Sequence, residues 1–239
     1  MTTGGLFPRF NALDGDAVNV EWHVHTSHTD GQAGVEEVLR AAQARGLRSV
    51  AFTEHVRHTS AWFPAFAAEV REAASRFPDL EVLVGCEAKA LDVSGGLDAS
   101  DEILALCDLV LGSVHRVPDA AGESRPFAEL STEELHRREL DLALGLVERG
   151  PISALAHPMG MLQRQRGIFP VEAMQRILVA AARRGVAVEI SSSYLADWDG
   201  FLRLCREVNP PVSIGSDAHK VEELGTCRDR LVASGVGAP

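Results

Sequence analysis

The sequence predicts an α/β fold, a small barrel of parallel strands that alternate with helices. Short apolar runs rich in β-branched residues alternate with longer stretches of helical periodicity, which is typical of repeated βα units. No internal repeat or low-complexity tract interrupts the series. A chain of 239 residues suits one barrel, so we expect residues 1–239 to form a single domain in which residues 1–18 are an N-terminal extension.

Seven strands are predicted, and each is a short run of apolar and β-branched residues next to turn-forming residues. They cover residues 19–23, 49–53, 81–85, 109–113, 153–156, 186–190 and 212–215. Because each run is followed by a crossover long enough for a helix, neighbouring strands are expected to be parallel and wound right-handed.

Helices are predicted where apolar residues recur at a spacing of three and four. Three of them cover residues 35–45, 131–149 and 171–184, and they stop at Gly46, Gly150 and Gly185. Glycine at these positions predicts a left-handed C-terminal cap. Ser131 and Glu134 have the spacing of a capping box at the start of the second helix. The polar segments 92–98 and 118–126 are expected to be mobile loops.

Composition narrows the possible partners. The formal net charge is −11, and only Lys89 and Lys220 are lysines, which argues against binding to long nucleic acid because the phosphates require a basic surface. No apolar run is long enough to cross a membrane, and no signal segment is apparent, so we expect a cytoplasmic protein. The four cysteines are widely spaced and predict neither a disulfide framework nor a metal knuckle. The sequence gives no indication of oligomeric state.

Residues able to bind a metal follow six of the seven predicted strands. In strand order they are His23 and His25, Glu54 and His55, Glu87, His115, His157, and Asp217 with His219. A single histidine at a strand end is more often a hydrogen-bonded core residue. Six such ends are different, because a β/α barrel presents the C-terminal ends of its strands on one face. The sequence therefore predicts one cluster there.

The chemistry of this set indicates a multinuclear metal site. His23 and His25 are two residues apart on a strand, so both imidazoles are expected to point to the same side. Imidazole and carboxylate ligands without cysteine suit zinc, manganese or iron. The candidates are too many for a single four-coordinate ion, so we expect more than one divalent metal ion.

Four ordered motifs carry a family resemblance from about Val20 to Lys220. They read His23-Val24-His25-Thr26 followed by Thr29-Asp30-Gly31, then Phe52-Thr53-Glu54-His55, then Gly112-Ser113-Val114-His115 with Ala156-His157-Pro158, and last Gly215-Ser216-Asp217-Ala218-His219. These residues resemble the PHP family, which is named for polymerase and histidinol phosphatase proteins. The resemblance implies a distorted (β/α)7 barrel that binds up to three metal ions.

The resemblance also implies a set of nine ligands. His23, His25, Glu87 and Asp217 would hold the first ion, Glu87 would bridge to a second bound by His115 and His157, and Asp30, His55 and His219 would hold the third. His28 is a rival to Asp30, because the family places either histidine or aspartate at this point. The presence of all nine ligands speaks against a degenerate, non-catalytic copy.

The expected reaction is hydrolysis of a small phosphate monoester by a metal-bridging hydroxide at a trinuclear site, with a small phosphorylated metabolite as substrate and phosphate as product. We assign the catalytic role to Glu87, Asp217 and His219. Four arginines are candidates to neutralise phosphate oxygens, with Arg116 first and then Arg57, Arg164 and Arg166. The sequence of the strand around Phe52 is more similar to the histidinol phosphatase branch of the family than to the polymerase-linked branch. That branch often has aspartate after His-Pro, whereas Met159 follows His157-Pro158 in this sequence.

Three alternatives remain open from the sequence. An amidohydrolase-type metal enzyme also opens with two histidines on its first strand, but it usually has eight strands and a carbamylated lysine, for which Lys89 is the only loosely fitting position. A nucleotide phosphatase or a nuclease for small oligonucleotides is the second. A regulatory module that binds metal or phosphate without turnover is the third.

Overall fold

The computed structural model describes residues 6–118 and 124–237, and its central feature is a sheet of seven parallel strands. Neighbours in the sheet follow the order of the chain. The strands are β1 Val20–Val24, β2 Ser49–Val56, β3 Glu81–Lys89, β4 Leu109–Ser113, β5 Ala154–Leu155, β6 Ala187–Ser191 and β7 Val212–Gly215. Strands that pair in sequence order without skipping a neighbour can curl into a barrel.

The barrel closes where the chain leaves β7 and passes β1. Val24 and Ala218 form a parallel bridge, with the amide of His25 donating to the carbonyl oxygen of Ala218 at 2.9 Å and the amide of Ala218 donating to that of His23 at 3.0 Å. β5 has only two residues, and the pairing of β1 with β2 shifts register between Glu21 and Val24. The prediction of a distorted (β/α)7 barrel is therefore confirmed.

Eight α-helices accompany the strands in the described part of the chain. They are α1 Val35–Ala44, α2 Phe63–Ala74, α3 Asp101–Leu106, α4 Thr132–Arg149, α5 Gly160–Arg166, α6 Val171–Arg184, α7 Trp198–Val208 and α8 Thr226–Ala233. Buried apolar side chains fill the layer between strands and helices, as where Phe52 of β2 meets Phe66 of α2 edge-on with ring centroids 6.4 Å apart. No described helix has the length and hydropathy needed to cross a membrane.

Helix ends match the predictions with two corrections, at Gly150 and at the capping box of α4. Gly46 and Gly185 have φ of 67° and 73°, the left-handed conformation expected of a cap. Gly150 instead has φ −70° and ψ 150°, because the following Pro151 restricts it to extended backbone. Ser131 caps α4 by accepting the amide of Glu134, but the Glu134 side chain pairs with Arg125 rather than completing the box.

The segments outside the barrel are short. The amide of Val212 donates to the carbonyl oxygen of Pro8 at 3.0 Å, so residues from the N-terminal segment pair with the start of β7. Val117–Pro118 and Ser124–Arg125 form a two-stranded antiparallel ladder, and the rest of the loop predicted at 118–126 lies outside the described residues. Residues 1–5 of the predicted extension also lie outside them, and the single-domain assignment stays a prediction.

Candidate metal centre

Glu87 lies at the middle of a histidine cluster at the C-terminal end of the barrel. Its carboxylate is 1% exposed. Oε2 lies 2.7 Å from Nδ1 of His55, and Oε1 lies 2.8 Å from Nε2 of His157 and 3.3 Å from Nε2 of His115. Because β2, β3, β4 and β5 are adjacent in the sheet, one carboxylate reaches side chains from or just beyond each of them.

Asp217 occupies a similar place on the other side of the cluster. Its Oδ1 lies 3.1 Å from Nε2 of His25, 3.5 Å from Nε2 of His23 and 3.7 Å from Nδ1 of His219. His23 and His25 also face Glu87, at 3.6 and 3.7 Å. The two imidazoles of the first motif therefore point to the same side, between two carboxylates from opposite parts of the barrel.

Asp30 completes the set at the solvent-exposed edge. Its carboxylate lies 3.3 Å from Nε2 of His55 and 3.4 Å from Nε2 of His219. His28 points elsewhere, since its Nε2 lies 2.9 Å from Glu69 and its ring stacks on Trp62 with centroids 6.0 Å apart. The structure thus brings all nine predicted ligands into one network of contacts and places Asp30, rather than His28, in it.

The buried donor atoms fit a metal site. Five of them have no hydrogen-bond partner among the described residues, namely Nε2 of His23, both ring nitrogens of His25, Nδ1 of His55 and Oε2 of Glu87. Nδ1 of His55 and Oε2 of Glu87 are only 2.7 Å apart, but the two groups are not oriented for a hydrogen bond. Unpaired buried polar atoms are costly, and a bound cation would satisfy several at once.

Three groups of side chains place their ligand atoms within 4.8 Å of one another. They are His23 with His25 and Glu87, His55 with Glu87 and His115, and His25 with His55 and His219. His25 and His55 each occur in two groups. The division of ligands among ions that the resemblance implies therefore stays a prediction.

The protonation of two predicted ligands suits metal binding directly, whereas three histidines lie among negative charges, where a bound cation would take the place of a proton. Burial lowers the pKa of His115 to about 3 against the opposing charge of Glu87, so its imidazole is neutral. Burial by itself raises the pKa of Glu87, but His115, His157 and His23 outweigh it, and the net pKa lies well below the ordinary range. Metals bind the deprotonated forms of both groups. Burial lowers the pKa of His23, His55 and His157, but the nearby carboxylates outweigh it and raise the pKa of each above its ordinary value.

Glu189 is a buried carboxylate in contact with the cluster, and the sequence does not single it out. It is fully buried on β6, the strand to which no metal-binding residue was assigned. Oε1 lies 2.7 Å from Nδ1 of His23, and Oε2 accepts the backbone amide of His157 at 2.5 Å. Since a carboxylate accepts, Nδ1 of His23 carries a proton, and Nε2, which faces the cluster, would offer its lone pair to a bound cation. A glutamate within an otherwise apolar strand is the feature of the sequence that could have indicated a buried role for Glu189.

An open cleft of about 560 Å³ leads to the cluster. It is lined by Asp30, His55, His115, Met161, Arg164, Ser193, Tyr194, Asp217, His219 and Glu223. The ring of Tyr194 stacks on His157 with centroids 4.4 Å apart, and Nη1 of Arg164 donates to its hydroxyl at 3.2 Å. Burial raises the pKa of Tyr194, which keeps the phenol protonated. Neither Tyr194 nor Glu223 was predicted from the sequence.

The four candidate arginines occupy different places. Arg164 lines the cleft, and Arg57 lines a neighbouring pocket. Arg166 does not line the cleft, and its Nη2 donates to the carbonyl oxygens of Phe127 and Leu130 at 3.2 and 2.9 Å, so its role in phosphate binding stays a prediction. Arg116, the first candidate, lines neither space. Among the four candidates, Arg164 is therefore the one that lines the cleft, and a role of Arg116 in phosphate binding stays a prediction.

Two ligands stand on strained backbone. His157 has φ 27° and Asp217 has φ 51°, and non-glycine residues in this left-handed region are uncommon. Such conformations cost about 1–3 kcal/mol each and persist where surrounding contacts hold them. Here the Glu189 carboxylate holds the amide of His157, and the bridge of Ala218 to β1 follows directly after Asp217.

Comparison with known proteins agrees with this geometry. The family model for the PHP domain matches residues 21–193. The chain belongs to the PHP domain family. The resemblance read from the four motifs is thereby confirmed.

Relatives of this PHP protein match along most of its length. One named "Probable phosphatase" from Caldicellulosiruptor bescii is 26% identical over 224 residues, which cover 88% of this chain and 83% of the relative. Another of that name from Shewanella frigidimarina is 28% identical over 232 residues, covering 92% and 86%. The structure of a candidate histidinol phosphatase, hisK, from Listeria monocytogenes has a TM-score of 0.68 at 16% identity and covers 87% of this chain and 97% of that one. This last likeness shows a shared fold.

Proposed function

We propose that this PHP protein is a metal-dependent phosphoesterase that hydrolyses a small phosphate monoester. The observation that carries the proposal is the convergence of six histidines on Glu87 and Asp217, with five buried donor atoms left unpaired. Relatives named as phosphatases that span most of the chain support it. The proposal includes two or three divalent ions, zinc, manganese or iron, and a substrate related in size to histidinol phosphate.

Charge makes a phosphate ester a suitable ligand. When bound, divalent ions would supply positive charge for the phosphoryl oxygens and lower the pKa of water toward neutrality. Three ions would carry six positive charges, and the ligand carboxylates Asp30, Glu87 and Asp217 return three negative ones. The pocket therefore stays cationic and attracts a phosphate dianion.

The protein side chains orient both ligands and substrate. Nδ1 of His219 lies 2.9 Å from the backbone carbonyl oxygen of Asp217, which can only accept, so Nδ1 holds the proton and Nε2 offers its lone pair toward Asp30. The guanidinium of Arg164 stands on the cleft wall, where its remaining N–H groups can donate to a phosphate oxygen. Tyr194 fixes this guanidinium through its hydroxyl.

The structural observations disfavour the amidohydrolase-type alternative. The barrel has seven strands rather than eight, and the central position between histidines belongs to Glu87. Lys89 lines the pocket beside the cluster instead of the cleft. A regulatory module that binds metal or phosphate without catalysis would have the same site, so only a measurement of turnover distinguishes it from the proposed enzyme.

The experiment is a phosphatase assay with added manganese on 4-nitrophenyl phosphate, histidinol phosphate and nucleoside monophosphates. We expect metal-dependent turnover of one or more of these, and we expect His25→Ala to abolish it because the ring contacts both carboxylates. His136→Ala on α4 is the matched control and should stay active. A fully active His25→Ala protein would refute the ligand assignment. No turnover across the panel at full metal occupancy would favour a binding module.

A further inference from the structure

A second pocket opens beside the metal centre, and the proposed chemistry makes no use of it. Its volume is about 360 Å³. Asp30 and His55 form the wall shared with the cleft, and Arg57, Trp62 and Lys89 form much of the remainder. A substrate bound at the cluster would therefore have direct access to this pocket.

Lys89 points toward the mouth of the barrel. It follows Glu87 by two residues on β3, and alternate residues of a strand face the same side. The ladder with β4 continues to this residue, since Lys89 is paired with Ser113. The side chain is partly buried, and no described carboxylate lies within 4.0 Å of its ammonium. A lysine placed this way has no structural ion pair to explain it.

Arg57 stands on a loop that is held in place. The amide of Arg57 donates to Oγ of Ser60 at 3.0 Å, and the amide of Ser60 donates back to the Arg57 carbonyl oxygen at 2.9 Å. The next amide, of His58, donates to Oδ1 of Asp98 at 2.9 Å. The guanidinium itself is exposed and pairs with no described carboxylate. The loop is thus ordered while its cation remains available.

We propose that Lys89 and Arg57 form a second anion-binding subsite, so that the substrate is a phosphate monoester with another anionic group, a carboxylate or a second phosphate, a few atoms away. This inference rests on the proposed phosphoesterase function, since it places the first phosphate at the metal centre. The indole of Trp62 would pack against the part that joins the two groups. An aminoalkyl phosphate such as histidinol phosphate would instead place its ammonium group next to the two cationic side chains of Lys89 and Arg57.

Binding of non-hydrolysable phosphonates tests the subsite without relying on turnover. Propylphosphonate and 3-phosphonopropionate differ in one terminal group, methyl against carboxylate, and 3-aminopropylphosphonate carries a cation instead. Isothermal titration of the manganese-loaded protein should give about fivefold or tighter binding for the carboxylate, because partly exposed ion pairs contribute up to about 1 kcal/mol each. The amine should bind more weakly than the methyl compound. Phosphonoacetate and 4-phosphonobutyrate test other spacings.

The decisive readout is the ratio of the two dissociation constants, methyl over carboxylate, in variants. Lys89→Met keeps the apolar stem and should lower this ratio, Arg57→Gln should lower it as well, and the double variant should bring it close to one. Arg203→Gln, which removes an exposed cation on the remote helix α7, is the control and should keep the wild-type ratio. Equal affinities at every chain length, or a ratio unchanged in Lys89→Met, would overturn the subsite.

The outcomes for the two proposals are separable. Hydrolysis of 4-nitrophenyl phosphate with no preference among the phosphonates would leave the phosphoesterase intact and remove the subsite. A preference that depends on Lys89 with no hydrolysis of any ester would retain an anion-binding pocket and remove the catalytic proposal.

Discussion

Glu189 joins two of the histidines through separate oxygens, one at Nδ1 of His23 and the other at the amide of His157. We expect Glu189→Gln to weaken metal binding by about 10- to 100-fold, the usual effect of losing a partner that orients a ligand. The amide oxygen and nitrogen of glutamine cannot both accept, so one of the two contacts is lost. Titration of the metal-free protein with manganese, followed by calorimetry, measures the change.

Glu69→Gln is the matched control for that substitution. Glu69 also pairs with a histidine, His28, but the pair lies outside the cluster and both side chains are partly exposed. Its metal affinity should equal that of the wild-type protein. Unchanged affinity in Glu189→Gln would mean that His23 keeps its orientation without the carboxylate.

At the residue scale the sequence identified the side chains that form the cluster better than the residues that hold them in place. Both Asp30 and His28 fit the sequence pattern for one ligand position, because spacing alone does not show that the His28 side chain turns toward Glu69. Glu189 and Tyr194 were missed because neither falls in a motif, and their roles depend on contacts with His157 from a different strand end. The sequence favours Arg116 as a phosphate-binding residue because it adjoins His115, but it does not show that Arg164, on the short helix α5, lines the cleft.

Side chains from β6 and β1 approach the end of β7 so closely that only glycine fits there. A Cβ at Gly215, the last residue of β7, would lie 2.2 Å from Oε1 of Glu189 and 2.7 Å from Cβ of His23. Because glycine has no Cβ, the buried carboxylate of Glu189 can reach the ring of His23. The residue at the end of one strand thus sets how side chains of two other strands meet.

Gly215→Ala should therefore damage the metal site as well as stability. We expect metal affinity to fall at least tenfold, because the added methyl group displaces Glu189 or His23. We also expect a loss of about 1–3 kcal/mol in the free energy of unfolding from overpacking. Calorimetric metal titration and urea denaturation measure the two effects.

Gly34→Ala is the control at the element scale. Gly34 precedes α1 with φ −80°, and nothing lies within 4 Å of its added Cβ. Metal affinity should be unchanged there. A Gly215→Ala protein with wild-type affinity would show that the site does not require the space that Gly215 leaves for Glu189 and His23.

Element boundaries were predictable where burial and turns coincide, as at β4 and β7, whose predicted bounds match the structure. β2 and β3 were predicted too short, because the ladder continues through Glu54, His55 and Glu87 and those residues are part of strands rather than of loops after them. In the sequence, polar residues at these positions resemble the turn residues that follow a strand. Their buried environment at the barrel mouth is a tertiary effect.

Glu139, a buried residue of α4, links stability to pH without contacting the cluster. Its two oxygens accept the amides of Met161 and Leu162 at 2.8 Å, and burial raises its pKa from 4.5 to about 7 despite these bonds. The folded protein therefore holds a proton that the unfolded chain releases between these values. The contribution of this group to stability is highest at low pH and is lost as pH rises toward 7.

We expect the free energy of unfolding of the wild-type protein to fall relative to Glu139→Gln by about 2 kcal/mol between pH 5.5 and 8, at 1.36 kcal/mol per pKa unit. Glutamine does not titrate, so the difference between the two proteins isolates this carboxyl even though the variant is less stable throughout. Urea denaturation at several pH values measures it. Parallel pH profiles would show that Glu139 ionises normally in the folded state.

At the scale of the whole molecule, the architecture made the site predictable. Parallel strands in chain order bring the ends of separate segments to one face, so residues as distant as His23 and Asp217 could be expected together. The left-handed backbone at His157 and Asp217 could not be predicted, because it is imposed by contacts with Glu189 and β1. The second pocket at Lys89 likewise follows from how the loop after β2 folds over β3.

If these nine side chains share a few divalent cations, crystals soaked in manganese should show them in anomalous diffraction recorded at the metal edge. We expect two or three anomalous peaks, each about 2.0–2.3 Å from at least two of the nine side chains, with Glu87 close to more than one peak. Full soaking with no peak in the cluster, or peaks only at surface carboxylates, would contradict metal binding by the cluster.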